Sequence, residues 1–176
     1  MKYVEGDLFN HVPAQDDTIT IIAHVCNNIG AWGAGFVIPL ARRYPNARTL
    51  YHEASGDLKL GWTQFVTSDD GKVVVANMVG QEGVGPTFDE NDKMIPPIRY
   101  DALSSCMKAV RDSALLYQQS GKKVRIACPM FGAGLAGGDW PTIENMIVEI
   151  WGGLDTTVYY LPQFLPPGWT PPKSEA

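Results

Sequence analysis

Cysteine and histidine are both scarce in this chain, with three of each among 176 residues. Cys26, Cys106 and Cys128 are an odd number and form no Cys-x-x-Cys pair. A disulfide framework and a structural zinc site are therefore disfavoured, and no metal ligand set is visible. No run of about 18 apolar residues occurs that could cross a bilayer. The opening MKYVEGDLFN also lacks the apolar centre of a secretion signal. Positive charge is in short supply too: 14 Lys and Arg stand against 19 Asp and Glu, a net charge of −5. That balance argues against an extended nucleic-acid surface. The expectation is a cytoplasmic, membrane-free protein in a reducing setting, a monomer that requires no cofactor. A small anion site stays open, because backbone N–H groups bind phosphate without lysine.

The chain has the composition of an ordinary folded domain, with 45% hydrophobic and 19% charged residues, and its length suits one core. TITIIAHV (18–25) reads as a buried strand, being β-branched and almost continuously apolar. WTQFVT (62–67) and KVVVANM (72–78) flank Asp69-Asp70-Gly71, a hairpin turn signal. VRIACP (124–129), TTVYYL (156–161) and a short edge strand at 2–4 complete the set. Helices are expected at 35–43, at 47–55, at 99–120 and at 141–151, the last opening on a proline. Strands alternating with helices predict an α/β sandwich with a mixed sheet. EGVGPTFDENDKMIPP (82–97) has the composition of a long surface loop. The tail from Pro162 carries five prolines, so the domain is expected over 1–161 with a proline-rich extension over 162–176.

Two glycine-rich segments follow strands and precede helices: CNNIGAWGAGF after the first strand and MFGAGLAGGDW after VRIACP. In α/β sheets ligands lie beyond the carboxyl ends of the strands, where such loops lead into helices. Glycine lets main-chain N–H groups approach an anion unobstructed by Cβ. Neither loop matches the Walker pattern or contains a lysine, and neither has the context of a dinucleotide fingerprint. A diphosphate held by backbone is the expectation, against the alternative that each loop is glycine-rich for tight packing alone.

GDLF (6–9), AHVCNNIGAWGAGFVIPLARRYP (23–45), CPMFGAGLAGGDW (128–140) and the closing TVYYL together resemble a macro domain, in order along nearly the whole chain. Within that family the chain is most similar to the yeast-type ADP-ribose 1″-phosphate phosphatases and to the branch containing the terminal ADP-ribose protein glycohydrolase. The resemblance implies a three-layer α/β/α fold with a central mixed sheet and an ADP-ribose cleft at one end of it. It implies that Asp7 accepts from the adenine amino group beside the Leu8 backbone, and that Asn27 faces the distal ribose. Gly33, Ala34, Gly35 and Phe36 would form the first phosphate and ribose wall. Gly132, Ala133, Gly134, Leu135, Ala136 and Gly137 would wrap the diphosphate, and Tyr160 or Leu161 would touch the adenine.

For catalysis the resemblance singles out His24, at the end of an apolar strand, as an acid or base, with Asn27 positioning substrate or water. Asp139, after the second loop, would orient a water or act as a base. Each has a structural alternative: a buried histidine bonded to backbone, an asparagine turn, a helix N-cap. Trp32 and Trp140 read as packing residues. The lysine of the glycohydrolase branch has no counterpart in VGQEGVG (79–85), and Ala136 stands where that branch has an aspartate. Phe36-Val37-Ile38 replaces the aspartate of the other large hydrolase group. The expected function is binding of ADP-ribose, free or carried on a protein. Hydrolysis of its 1″-phosphate or of an ester-linked carrier is expected to accompany it; the alternative is a binding module without turnover.

Overall fold

The computed structural model describes residues 1–173; the expected extension's residues 174–176 lie outside them. Two runs dominate the interior. β2 (Ile19–Asn27) and β4 (Val73–Gln81) are buried along almost their whole length. Such runs suit strands covered on both faces. With β1 (Lys2–Glu5), β3 (Thr63–Thr67), β7 (Val124–Cys128) and β8 (Asp155–Tyr160) they form a six-stranded sheet ordered β1-β8-β7-β2-β4-β3. All neighbours are parallel except β3 and β4, which are joined by the hairpin turn that Asp69-Asp70-Gly71 signals.

Alternate side chains of β2 feed two separate cores. Ile21 and Ala23 pack with α3 (Tyr100–Gln119) and α4 (Trp140–Trp151), through Leu103, Met107, Ile143 and Ile147. Ile22 and Cys26 pack with α1 (Val37–Arg43) and α2 (Pro45–Glu53), through Leu40, Ala47 and Tyr51. The result is the expected three-layer α/β/α sandwich with a mixed sheet.

Several boundaries differ from expectation for local reasons. The helix expected at 47–55 begins two residues earlier, at Pro45, where the fixed φ and missing N–H of proline cost nothing. β2 runs on to Asn27, two residues beyond the apolar run, because it is still paired with β4 there. The segment expected as a loop over 82–97 contains a small hairpin, β5 (Thr87–Phe88) and β6 (Met94–Ile95), too short to leave a periodic signature. Of the tail, Trp169 packs on Tyr3 and Tyr160, with ring centroids 5.2 and 5.8 Å apart. It thus covers the β1 edge of the sheet. No described helix is long and apolar enough to cross a membrane.

Replacing Trp169 by alanine is expected to destabilise the domain by about 1–2 kcal/mol, the scale of a half-buried aromatic contact. Urea unfolding of the two proteins checks this, and an unchanged midpoint would mean the tail rests on the sheet without holding it.

Candidate functional site

Because the inner strands are parallel, their carboxyl ends share one edge of the sheet. There the sheet order becomes an order of loops. Gly6 N–H donates to the Tyr160 carbonyl at 2.9 Å, which sets GDLF beside the end of β8. The second glycine loop follows β7, the first follows β2, and Glu82 and Gly83 follow β4. The glycine loops face each other: a Cβ on Gly35 would lie 3.8 Å from Leu135 Cδ1.

The glycines are of two kinds. Gly132 has φ +78°, and a Cβ there would stand 2.9 Å from Ile143 Cδ1; at Gly137, with φ +70°, it would meet Pro96 at 2.8 Å. The fold itself demands these two. Gly33 and Gly134 have no left-handed φ and open space where a Cβ would stand. No protein acceptor among the described residues takes the N–H of Ala133, Gly134, Leu135 or Ala136, nor those of Gly33, Ala34, Gly35 and Phe36. Two exposed stretches of free donors thus face one another, an arrangement suited to an anion. Leu135 is exposed, whereas Ala136 is buried and its carbonyl accepts from Ile98 N–H at 3.1 Å.

Asp7 is exposed and caps a short 3₁₀ turn, its Oδ1 accepting from Phe9 N–H at 2.9 Å. Leu8 and Phe9 are buried behind it. The Phe9 ring stacks on Phe36 of the first loop, centroids 5.4 Å apart, and so ties GDLF to that wall. Tyr160 packs against Tyr3 and Trp169, and Leu161 is exposed.

His24 does not end its strand. It lies three residues inside β2 with 2% of its surface exposed, and it faces the α1–α2 layer as Ile22 and Cys26 do. Trp32 and Phe36 cover it, with centroids 5.6 and 5.7 Å away. Its Nε2 is 2.5 Å from Asn77 Oδ1, while Asn77 Nδ2 donates to the Ala47 carbonyl and to Gln64 Oε1, each at 3.1 Å. Gln64 Nε2 in turn donates to the Leu50 carbonyl at 3.0 Å. With both Asn77 hydrogens committed, its oxygen must accept, so His24 carries its proton on Nε2. Burial disfavours a second proton and lowers the pKa from 6.5 to about 4. The partner is a side chain, not the backbone group expected for a buried histidine.

Asn27 is likewise committed to the fold. Its Oδ1 accepts from Ile29 N–H, Ala31 N–H and Tyr51 O–H at 3.1, 3.0 and 2.9 Å, and its Nδ2 donates to the Ala31 carbonyl at 2.8 Å. The side chain that the resemblance sets facing the distal ribose thus also shapes the first loop. Asn28 reaches across to the residues just beyond β4: its Oδ1 accepts from Gly83 N–H at 2.9 Å. Gln81 Nε2 donates to the Gly83 carbonyl at 2.9 Å. These two residues carry no sequence signal, because only the β2–β4 pairing brings them together.

Asp139 is the N-cap of α4: its Oδ2 accepts from Thr142 N–H at 3.2 Å and from Thr142 Oγ1 at 2.6 Å. It is exposed. Trp32 donates Nε1–H to the Val37 carbonyl, and Trp140 donates to Tyr3 Oη, both as buried packing residues. Among the described residues no three His, Cys, Asp or Glu side chains gather closely enough to hold a metal ion.

Gly132→Ala is expected to cost about 2–4 kcal/mol, from a left-handed φ plus overpacking, whereas Gly134→Ala leaves stability within about 0.5 kcal/mol. Chemical denaturation of both variants checks the division. A second expectation concerns acid. The unfolded chain protonates His24 near its ordinary pKa while the fold resists until about pH 4, so stability is complete above about 6.5 and falls as pH drops from there towards 4. The loss saturates at about 3 kcal/mol. Urea midpoints at about pH 7.5 and about pH 4.5 should therefore differ less in His24→Gln than in the wild type.

No protein-family model matches the chain. A curated protein of Lodderomyces elongisporus, named ADP-ribose 1″-phosphate phosphatase, is 28% identical over 166 residues, 92% of this chain and 98% of the relative. A solved structure from Bacteroides thetaiotaomicron, described as a protein of unknown function, is 34% identical with a TM-score of 0.77; the match covers 91% of this chain and 97% of that one. A macrodomain protein of Streptomyces coelicolor is 33% identical with a TM-score of 0.70, over 90% of this chain and 97% of its own. At 33% identity over almost the whole length of both chains, the likeness to that macrodomain protein shows that this chain belongs to the macrodomain family.

Proposed function

We propose that this chain binds ADP-ribose across the carboxyl ends of its parallel strands and hydrolyses a substituent on the distal ribose. The 1″-phosphate is the first substrate proposed, with an ester-linked protein carrier as the second. The observation that carries the reading is the pair of facing N–H stretches at 33–36 and 133–136, with open space at Gly33 and Gly134. A diphosphate between them leaves the adenine at the β1–β8 side, beside Asp7 and Tyr160. The distal ribose then lies over the ends of β2 and β4. The full-length likeness to a curated 1″-phosphate phosphatase supports the same substrate class.

In this reading Asp7 keeps one carboxylate oxygen for the adenine amino group while the other caps its turn. The free loop N–H groups balance the phosphate charges and any charge that develops on the transferred group. His24 supports the floor under Phe36 and Trp32 and is not a proton carrier. Asp139 is exposed and keeps Oδ1 free beyond its cap, so it is the carboxylate proposed to orient a water. We also read the chain as a cytoplasmic monomer, which its three buried, unpaired cysteines suit. The second reading, a binding module without turnover, is favoured by the commitment of His24 and Asn27 to structural hydrogen bonds.

Titration calorimetry with ADP-ribose and phosphate release from ADP-ribose 1″-phosphate test both readings. Wild type is expected to bind and to release phosphate, and Gly134→Glu to lose affinity by at least about 100-fold without a change in melting temperature. Binding without release leaves the module; retained affinity in Gly134→Glu would show that the second loop does not hold the ligand.

A further inference from the structure

We infer that Asn28 contacts the group attached to the distal ribose, donating through its side-chain Nδ2; this rests on the ADP-ribose reading above. Three observations lead there.

The first is position. The sheet order β1-β8-β7-β2-β4-β3 sets the loops in a row, and a ligand with its adenine at the β1–β8 end extends over β7 towards β2 and β4. Asn28 is the first residue beyond β2, and its N–H donates to the Gln81 carbonyl at 3.1 Å. A shift of register at Cys26/Asn27 leaves Gly80 without a partner and sets Gln81 opposite Asn27. Such irregularities re-aim side chains at a strand end.

The second is chemistry. Gly83 N–H needs an acceptor and finds Asn28 Oδ1 at 2.9 Å, which fixes the orientation of the amide. The Nδ2 therefore turns away from Gly83, and no acceptor among the described residues takes either of its hydrogens. Asn28 is half-buried, so this donor pair is held in place at the surface. A fixed, neutral double donor suits the oxygens of a phosphate or ester. Asn27, one residue away, has its oxygen filled three times over.

The third is connection between the loops. Asn28 Oδ1 accepts from Gly83, Glu82 N–H donates to the Pro97 carbonyl at 2.9 Å, and Ile98 N–H donates to the Ala136 carbonyl at 3.1 Å. Arg99 closes the neck of the β5–β6 hairpin with an ion pair to Glu82 at 2.9 Å. Asn28 thus sits at one end of a hydrogen-bonded path whose other end is the diphosphate loop.

Asn28→Asp separates the structural bond from the donor: an aspartate still accepts from Gly83 N–H but replaces Nδ2 by an anionic oxygen. Melting temperature and affinity for ADP-ribose, which lacks the terminal phosphate, are expected to stay within about twofold of wild type, while phosphate release from ADP-ribose 1″-phosphate falls at least about tenfold. Asn28→Ala, which removes both roles, should also lower the melting temperature. Should wild type bind without turnover, the readout becomes affinity for ADP-ribose 1″-phosphate, expected to weaken at least about tenfold in Asn28→Asp relative to ADP-ribose. Equal behaviour of Asn28→Asp and wild type towards the phosphorylated ligand overturns the inference and leaves the ADP-ribose reading intact. Failure of wild type to bind ADP-ribose overturns both.

Discussion

The hydrogen bond between His24 and Asn77 is the contact on which the loop-bearing edge of the sheet depends. It is buried, and it joins the two most enclosed strands, β2 and β4. Through the other end of Asn77 it reaches the Ala47 carbonyl in α2, and through Gln64 it includes β3 and the Leu50 carbonyl. Removing either His24 or Asn77 would strand a buried polar group of the other at a cost of about 1–3 kcal/mol. The neutral imidazole also forms the middle of an aromatic row that runs from Phe9 through Phe36 and His24 to Trp32 and Tyr51. At one end Phe9 adjoins Asp7; at the other, the Tyr51 hydroxyl donates to the Asn27 oxygens that shape the first loop. One desolvated network therefore supports both ends of the cleft floor.

Above that network the fold separates groups spent on structure from groups left free within single motifs. Gly132 and Gly137 have left-handed φ and pack against Ile143 and Pro96, while Gly134 between them accepts from Gly137 N–H at 3.0 Å but has open space where a Cβ would stand. Asn27 shapes the loop, while Asn28 ties it to Gly83 and keeps its amide hydrogens. Asp139 begins a helix and retains an oxygen. Parallel strands make this division available, because their ends deliver successive loops to one edge with backbone donors already unpaired.

Much of the fold was legible in the chain. The β-branched starts of β2 and β4, the Asp-Asp-Gly turn and the periodic apolar face of α3 each have a local cause that acts before any tertiary contact. The α2 start at Pro45 and the two-residue strands at 87–88 and 94–95 have no such local mark, since a proline serves equally as a helix stop and as a first residue. Two-residue strands carry no period at all. Of the site, the two glycine loops and GDLF stood out as sequence. What each side chain does within them did not.

The sequence by itself determined the layers of the sandwich and the edge where ligand-binding loops must gather, because hydrophobic periodicity and turn chemistry are properties of neighbours along the chain. Tertiary structure alone decided that His24 is buried and neutral, that Asn27 is committed to its loop and that Asn28 meets Gly83. Those outcomes depend on strand register and on how far β2 continues before it ends. A shift of one residue would exchange the faces of the strand, and with them the solvent-facing and buried side chains.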